Sequence, residues 1–228
     1  MKLSILVPVY NEIKTIDNIL KKIKSVKLNK EIIIVDDHSS DGTIEYLKKL
    51  KNKNIKVLFN NKNMGKGYCV RRAINHATGD ISIIQDADLE YDPNDYYNLV
   101  EPIVKNKAHV VYGTRFPKGR KKKISSTNPF FIGNRILTFG ANILYNANIT
   151  DEPTCYKEFK NNLLKNINLK SNRFEICAEI TAKIKKKRYK IYEVPIKYNP
   201  RTTKEGKKIN WKDGLIGVWT LIKYRFRN

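Results

Sequence analysis

Through its first 114 residues the chain alternates short β-branched apolar runs with stretches whose apolar residues recur every three or four positions. That alternation leaves few folds open. Residues 3–9, 31–35, 55–59, 81–85 and 109–113 read as strands. Helical spacing appears at 15–26 through Ile16, Ile19, Leu20 and Ile23, after Ser40-Asp41 through Ile44, Leu47 and Leu50, at 65–77, and from Asp92-Pro93, where proline suits a first helical position. The resulting βαβαβαβαβ order predicts an α/β domain with a mostly parallel sheet covered by helices on both faces. Within 31–35 the unbroken apolar run Ile32-Ile33-Ile34-Val35 fits a strand buried on both sides. Ligands of such sheets bind beyond the carboxyl ends of the strands. Polar residues gather there: Asn11-Glu12 after the first strand, Asp36-Asp37 after the second, Asp86-Ala87-Asp88 after the fourth and Arg115 after the fifth.

Beyond residue 115 the alternation weakens. Residues 118–128 read as a mobile basic loop, 128–145 and 174–187 as helices, 189–197 as a strand and 211–226 as an amphipathic helix with cations at its end. The 228 residues suit a single domain. Three widely spaced cysteines, Cys69, Cys155 and Cys177, argue against a disulfide framework or zinc site and for a reduced, cytoplasmic setting. No signal-like segment or membrane-spanning apolar run is present, so any membrane association is peripheral.

Charge is unevenly spread. Residues 1–114 carry 18 Lys and Arg against 14 Asp and Glu, whereas residues 115–228 carry 27 against 8, and the whole chain has a net charge of +23. A polycationic second half attracts phosphate-rich partners such as nucleotides or anionic lipid headgroups. Compositional drift toward Lys, Asn and Ile accounts for lysine abundance, but not for this asymmetry.

The two carboxylates of Asp86-Ala87-Asp88, on a turn leaving a strand, can converge on one hard cation. Mg²⁺ favours a few carboxylates plus substrate phosphate oxygens, and a diphosphate leaving group needs that cation to neutralise developing charge. The plain alternative is turn and capping carboxylates before the helix at Pro93.

Five segments in order, Val7-Pro8-Val9-Tyr10-Asn11-Glu12, Val35-Asp36-Asp37-His38-Ser39-Ser40-Asp41-Gly42-Thr43, Asn63-Met64-Gly65-Lys66-Gly67, Asp86-Ala87-Asp88-Leu89 and Gly113-Thr114-Arg115-Phe116, resemble the family-2 glycosyltransferases of the GT-A fold. Gly133-Asn134-Arg135, the run from Thr150 to Tyr156, Arg173-Phe174-Glu175, Glu193-Val194-Pro195, Arg201 and Gly206-Lys207-Lys208-Ile209 make the chain similar to the polyprenyl-phosphate sugar synthases within that family, the dolichol-phosphate mannose synthase type. The resemblance covers nearly the whole chain. It divides the single domain into a nucleotide-sugar-binding half, 1–115, and an acceptor-side half, 116–228.

The resemblance implies roles position by position. Pro8, Tyr10, Asn11 and Glu12 fall at the nucleoside pocket, Val35 and Asp37 at the base, and Lys66 at the nucleotide-sugar site. Asp86, Ala87 and Asp88 fall at the metal and donor phosphates. Glu90, where relatives often carry Gln, stands where it can complete the metal shell, the alternative being that it simply faces solvent. Arg115 stands near the diphosphate, while Arg201 and one of Lys207-Lys208, with Lys208 preferred, clamp the phosphates. The alternative for these last cations is a solvated basic loop. His38 reads as a turn histidine rather than a base.

The implied reaction is inverting transfer of a hexose from GDP-mannose or a UDP-sugar, with Mg²⁺ or Mn²⁺, onto a polyprenyl or dolichyl phosphate. Docking on an anionic membrane surface, alone or through a separate membrane-anchoring subunit, would present that acceptor. A phosphate acceptor is already anionic near neutral pH and needs no general base. A hydroxyl acceptor, as in polysaccharide or glycan synthesis, does need one, and Asp151 is then the residue to suspect. A nucleic-acid-binding module, suggested by charge alone, leaves Asp86-Ala87-Asp88 unexplained, so no nucleic-acid partner is expected.

Overall fold

The computed structural model describes residues 1–117, 129–202 and 206–227; the basic loop expected at 118–128 lies outside them. Strands β1 (Leu3–Val9), β2 (Lys30–Asp36), β3 (Ile55–Phe59), β4 (Ile81–Ile84), β5 (Val110–Thr114), β6 (Lys157–Lys160) and β7 (Ile191–Pro195) form one seven-stranded sheet in the order β3-β2-β1-β4-β6-β5-β7. All pairings are parallel except those of β6, which runs antiparallel between β4 and β5. Helices α1 (Ile16–Ser25), α2 (Thr43–Lys48), α3 (Lys66–His76) and α4 (Tyr96–Val104) alternate with β1 to β5. They are followed by α5 (Pro129–Tyr145), α6 (Asn161–Lys165), α7 (Ile176–Lys186) and α8 (Trp211–Phe226). This is the mixed α/β sheet flanked by helices, with a C-terminal helix, that the periodicity and the resemblance predict.

The local signals explain the boundaries. α1 buries Ile16, Ile19, Leu20 and Ile23, the stripe visible in the sequence. β1 and the apolar stretch of β2 are buried along their length, as central parallel strands require. Pro93 starts a single 3-10 turn, Pro93–Asp95, in which the Asp92 side chain accepts from the Asn94 N–H before α4 begins. Gly65 has φ of +95°, and a Cβ there would meet the Asn172 carbonyl at 2.4 Å. Only glycine permits both that backbone and that approach, which lets Asn172 accept from the Tyr68 N–H at 3.0 Å.

β6 and α6 were not anticipated. Lys157-Glu158-Phe159-Lys160 is too polar to read as an interior strand, yet Lys157 and Glu158 are fully buried. The Lys157 ammonium lies 3.7 Å from the Tyr112 ring centroid and donates to the Glu152 carbonyl at 2.5 Å. Cation–π attraction plus a hydrogen bond makes a buried ammonium tolerable. Glu158 has no such help. Neither carboxyl oxygen has a partner among the described residues, and burial pushes its pKa well above the glutamate range.

A raised native pKa means that the unfolded chain ionises first. Stability is therefore intact below the ordinary glutamate pKa near 4.5 and lost as pH rises toward the native value. Glu158→Gln removes that titration. Its stability advantage over the parent chain should be absent at about pH 4 and should grow by about 1.4 kcal/mol per pH unit above the glutamate range. Urea midpoints of both proteins across pH measure this; parallel profiles would contradict it.

Candidate functional site

β1 and β4 are neighbours and parallel, so the residues leaving their carboxyl ends arrive side by side. β1 delivers Tyr10 and Glu12, and β4 delivers Asp86, Ala87, Asp88 and Glu90. Together with Pro8, Asp37, Lys66, Arg115, Arg201 and Lys208 they line one cleft of about 940 Å³. Two predicted positions stand apart from it. Val35 is core within β2. Asn11, at φ +49°, accepts from the Ser40 N–H through its side chain and donates its own N–H to the Ser39 hydroxyl, tying two turns together. His38 is an exposed turn residue at φ +66°, away from the cleft lining.

The second aspartate pair divides its work. Asp36 accepts from both the N–H and the hydroxyl of Ser39. Asp37 accepts from the Asn60 amide at 2.7 Å, the Met64 N–H at 2.8 Å and the Gly65 N–H at 2.7 Å. In this structure its carboxylate orders the turn into α3 while lining the cleft wall.

Every acidic side chain of the central cluster faces a cation. Lys66, at the start of α3, lies 2.7 and 2.8 Å from the two oxygens of Asp86. Arg201 makes a two-pronged contact with Glu12 at 3.0 and 3.1 Å, and reaches Asp88 at 3.3 Å and Glu90 at 3.8 Å. Lys208 pairs with Glu12, and Lys207 lies 3.6 Å from Glu90. Both members of the lysine pair thus reach the cluster, through different carboxylates. Glu90 also accepts from the Tyr198 hydroxyl at 3.0 Å and the Arg201 N–H at 3.1 Å.

Compensation is incomplete at Asp88. Burial, then the charges of Asp86 and Glu90, push its pKa up to about 7 against the opposing pull of Arg201. A carboxyl so placed gains from a further cation. The donor set is all oxygen, as Mg²⁺ and Mn²⁺ prefer. Among the described residues no three His, Cys, Asp or Glu side chains form a ready cage. A site of a few carboxylates completed by substrate phosphate does not need them preassembled, and Asp86, Asp88 and Glu90 supply that donor chemistry.

Arg115 is held from behind. Its Nε and Nη2 donate to the two oxygens of Asp151, each at 2.7 Å, and its own N–H donates at 2.9 Å. The Glu193 carboxylate accepts from the Thr150 and Asp151 N–H groups, which accounts for the Glu193-Val194-Pro195 motif. Both Asp151 oxygens are committed and the residue is fully buried, so it offers no free oxygen to a proton donor in the cleft. Sequence reasoning missed the other half of the cleft. Phe130, Phe131, Ile132, Ile136 and Leu137 of α5 and Trp211, Leu215 and Val218 of α8 form an apolar groove continuous with the charged cluster. The apolar density of 129–145 was the signal available.

Removing one partner of a buried, doubly hydrogen-bonded ion pair strands the other. Asp151→Asn should therefore lose about 3–5 kcal/mol of stability, and adding Arg115→Gln should restore part of it. Denaturant unfolding measures both; a loss below about 1 kcal/mol for Asp151→Asn would show that Arg115 finds another partner.

Comparison with known proteins agrees with the geometry. The model of the family described as Glycosyl transferase family 2 matches residues 4–167. A dolichol-phosphate mannosyltransferase of Pyrococcus furiosus is 31% identical over 91% of this chain, which spans 59% of that relative's length. A UDP-N-acetylglucosamine–dolichyl-phosphate N-acetylglucosaminyltransferase of Methanococcus voltae is 29% identical over 85% of this chain and 84% of its own. Among solved structures, glucosyl-3-phosphoglycerate synthase from Mycobacterium tuberculosis, in complex with Mn²⁺, UDP and phosphoglyceric acid, superposes with a TM-score of 0.72 at 17% identity, covering 99% of this chain and 78% of that one. With the family's profile over most of its length and the family's fold in its sheet, the chain belongs to the family-2 glycosyltransferases of the GT-A type.

Proposed function

We propose that the chain transfers a hexose from a nucleotide diphosphate sugar to the phosphate of a polyprenyl or dolichyl lipid at a membrane surface. The observation that carries this reading is the two-part cleft. One end holds carboxylates and cations suited to a metal-bound diphosphate, and the other is an apolar groove between α5 and α8. A lipid phosphate has the same two-part chemistry. The relatives from Pyrococcus and Methanococcus are named for dolichyl-phosphate acceptors, which supports the reading. Mannose from GDP and N-acetylglucosamine or glucose from UDP are the donors to try first.

Asp86, Asp88 and Glu90 are the residues that would hold Mg²⁺ or Mn²⁺, and the metal's contribution is to neutralise the departing diphosphate. Arg115, Arg201 and Lys208 supply positive charge for two anionic reactants in a partly desolvated cleft. An ionised lipid phosphate needs no proton removed. The residue nominated as base for a hydroxyl acceptor, Asp151, has both oxygens on Arg115, which favours the phosphate acceptor.

The helix pair also bears on location. α8 exposes Trp211, Leu215, Ile216, Trp219, Ile222 and Phe226, and α5 exposes Ile132, Ile136, Phe139 and Ile143. The apolar face of α8 is therefore largely solvent-exposed. In α5 the spacing is also that of one helical face. Ten large apolar side chains on two packed helices exceed what an isolated soluble surface ordinarily leaves bare. Among the described residues no helix is long and apolar enough to cross a membrane. Amphipathic helices with aromatic and cationic residues bind in the headgroup plane, and the cationic second half adds about 1 kcal/mol per suitably placed Lys or Arg on anionic lipid.

Initial rates of nucleotide release from GDP-mannose, UDP-N-acetylglucosamine and UDP-glucose, with a short-chain polyprenyl phosphate, test the reaction. One donor should turn over, excess chelator should abolish turnover, and Asp88→Ala, Arg201→Ala and Lys208→Ala should each lose at least about 10²-fold. Turnover on a hydroxyl acceptor with none on the lipid phosphate would overturn the acceptor assignment and leave the family intact. For the membrane, Phe139→Glu combined with Trp219→Glu should strongly reduce binding to anionic vesicles at low salt. Its turnover with detergent-dispersed short-chain acceptor should stay near that of the parent. Undiminished vesicle binding by this variant would count against α5 and α8 as the docking face.

A further inference from the structure

In formal charge the cluster is balanced, although Asp88 remains undercompensated. Four carboxylates, Glu12, Asp86, Asp88 and Glu90, stand against four protein cations, Lys66, Arg201, Lys207 and Lys208. Arg201 is the member shared most widely, with contacts to Glu12, Asp88 and Glu90. It is largely buried there, and its Nε, itself buried, has no hydrogen-bond partner among the described residues. A guanidinium with one donor unsatisfied is therefore held against the same two carboxylates, Asp88 and Glu90, that the proposed reaction assigns to the metal.

A divalent ion and a guanidinium cannot share those carboxylates at close range without strong repulsion in a partly desolvated cleft. A diphosphate changes the balance. Its oxygens accept two-pronged hydrogen bonds from a guanidinium as well as a carboxylate does, so an arriving nucleotide gives Arg201 an equivalent partner while bringing the dication its own negative charge. We propose that Arg201 is an internal counter-ion that bars free divalent metal from the carboxylate cluster, so that metal enters together with a nucleotide diphosphate and not before it. The inference rests on the assignment of Asp88 and Glu90 to the metal. Its consequence is a coupling between the two ligands that is reciprocal: the factor by which nucleotide tightens metal is the factor by which metal tightens nucleotide.

The test is Mn²⁺ uptake, followed by loss of the free-ion electron paramagnetic resonance signal, without nucleotide and with GDP or UDP. The parent protein should bind Mn²⁺ weakly alone and at least about tenfold more tightly with the better nucleotide. Arg201→Gln should bind Mn²⁺ alone at least about tenfold more tightly than the parent, with the nucleotide's effect reduced to less than about threefold. Arg201→Ala provides a second route: added guanidinium ion should weaken its Mn²⁺ uptake, and sodium at equal ionic strength should not. Circular dichroism establishes that each variant is folded. If Arg201→Gln and the parent bind Mn²⁺ alone equally, with nucleotide coupling unchanged, the counter-ion role is overturned while the metal site stands. If Asp88→Asn leaves Mn²⁺ uptake by Arg201→Gln unaltered, the metal assignment falls and the inference falls with it.

Discussion

Carboxylates gathered at the end of a buried sheet must be neutralised, because charge in a poorly solvated cleft is costly without a partner. Adjacent parallel strands force that gathering here. β1 and β4 run side by side, so Glu12 and the acids of residues 86–90 leave the sheet at the same edge. The compensating cations come from elsewhere: Lys66 from the start of α3, and Arg201, Lys207 and Lys208 from the segment before α8. The contact between Arg201 and Glu12 spans 189 residues. Formation of the charged cleft therefore requires that both halves of the chain be folded together.

The sheet itself enforces the same dependence. β6 inserts antiparallel between β4 and β5, and β7 extends the sheet beyond β5. A strand from the second half thus separates two from the first, and the loop before β6 carries Asp151 onto Arg115. Glu193 in β7 then holds that loop through the Thr150 and Asp151 N–H groups. Arg115 is fixed by a chain of hydrogen bonds running from β7 through the loop, which leaves its guanidinium rigid at the cleft wall. That rigidity is what the proposed role of Arg115 beside a phosphate requires.

Polar and apolar halves of the cleft place opposite demands on a ligand. The sheet edge offers ionic and hydrogen-bonding groups, whereas α5 and α8 offer aliphatic and aromatic surface that continues onto their exposed faces. Close helix approach makes the groove: a Cβ on Gly217 would lie 2.9 Å from the Leu137 side chain, so α8 could not sit so near α5 with a larger residue there. Burial of the inner faces of both helices and exposure of the outer ones follow from packing against α7 and against each other, with Tyr145 donating to the Leu221 carbonyl at 2.5 Å.

By itself the sequence determined the parallel core, because period-two and period-3.6 patterns are local and the apolar runs of β1, β2 and β4 allow little else. It also determined which chemistry stands at the strand ends, since Glu12, Asp86, Asp88 and Arg115 follow from where the runs of β1, β4 and β5 stop. Tertiary structure decided the rest. Lys157 and Glu158 look like surface residues, and only the path of the chain puts them inside the sheet. α5 is apolar around much of its circumference, so its periodicity does not say which face meets α8 and which meets the surroundings. Asp151 reads as a candidate base for a hydroxyl acceptor until Arg115, 36 residues away, is found on both its oxygens. Arg201 reads as a phosphate clamp, or as a solvated loop cation, and only the fold shows it seated between Glu12 and Asp88. Local pattern records what each segment can do alone, whereas the state of a charge depends on which partner the fold brings within about 3 Å of it.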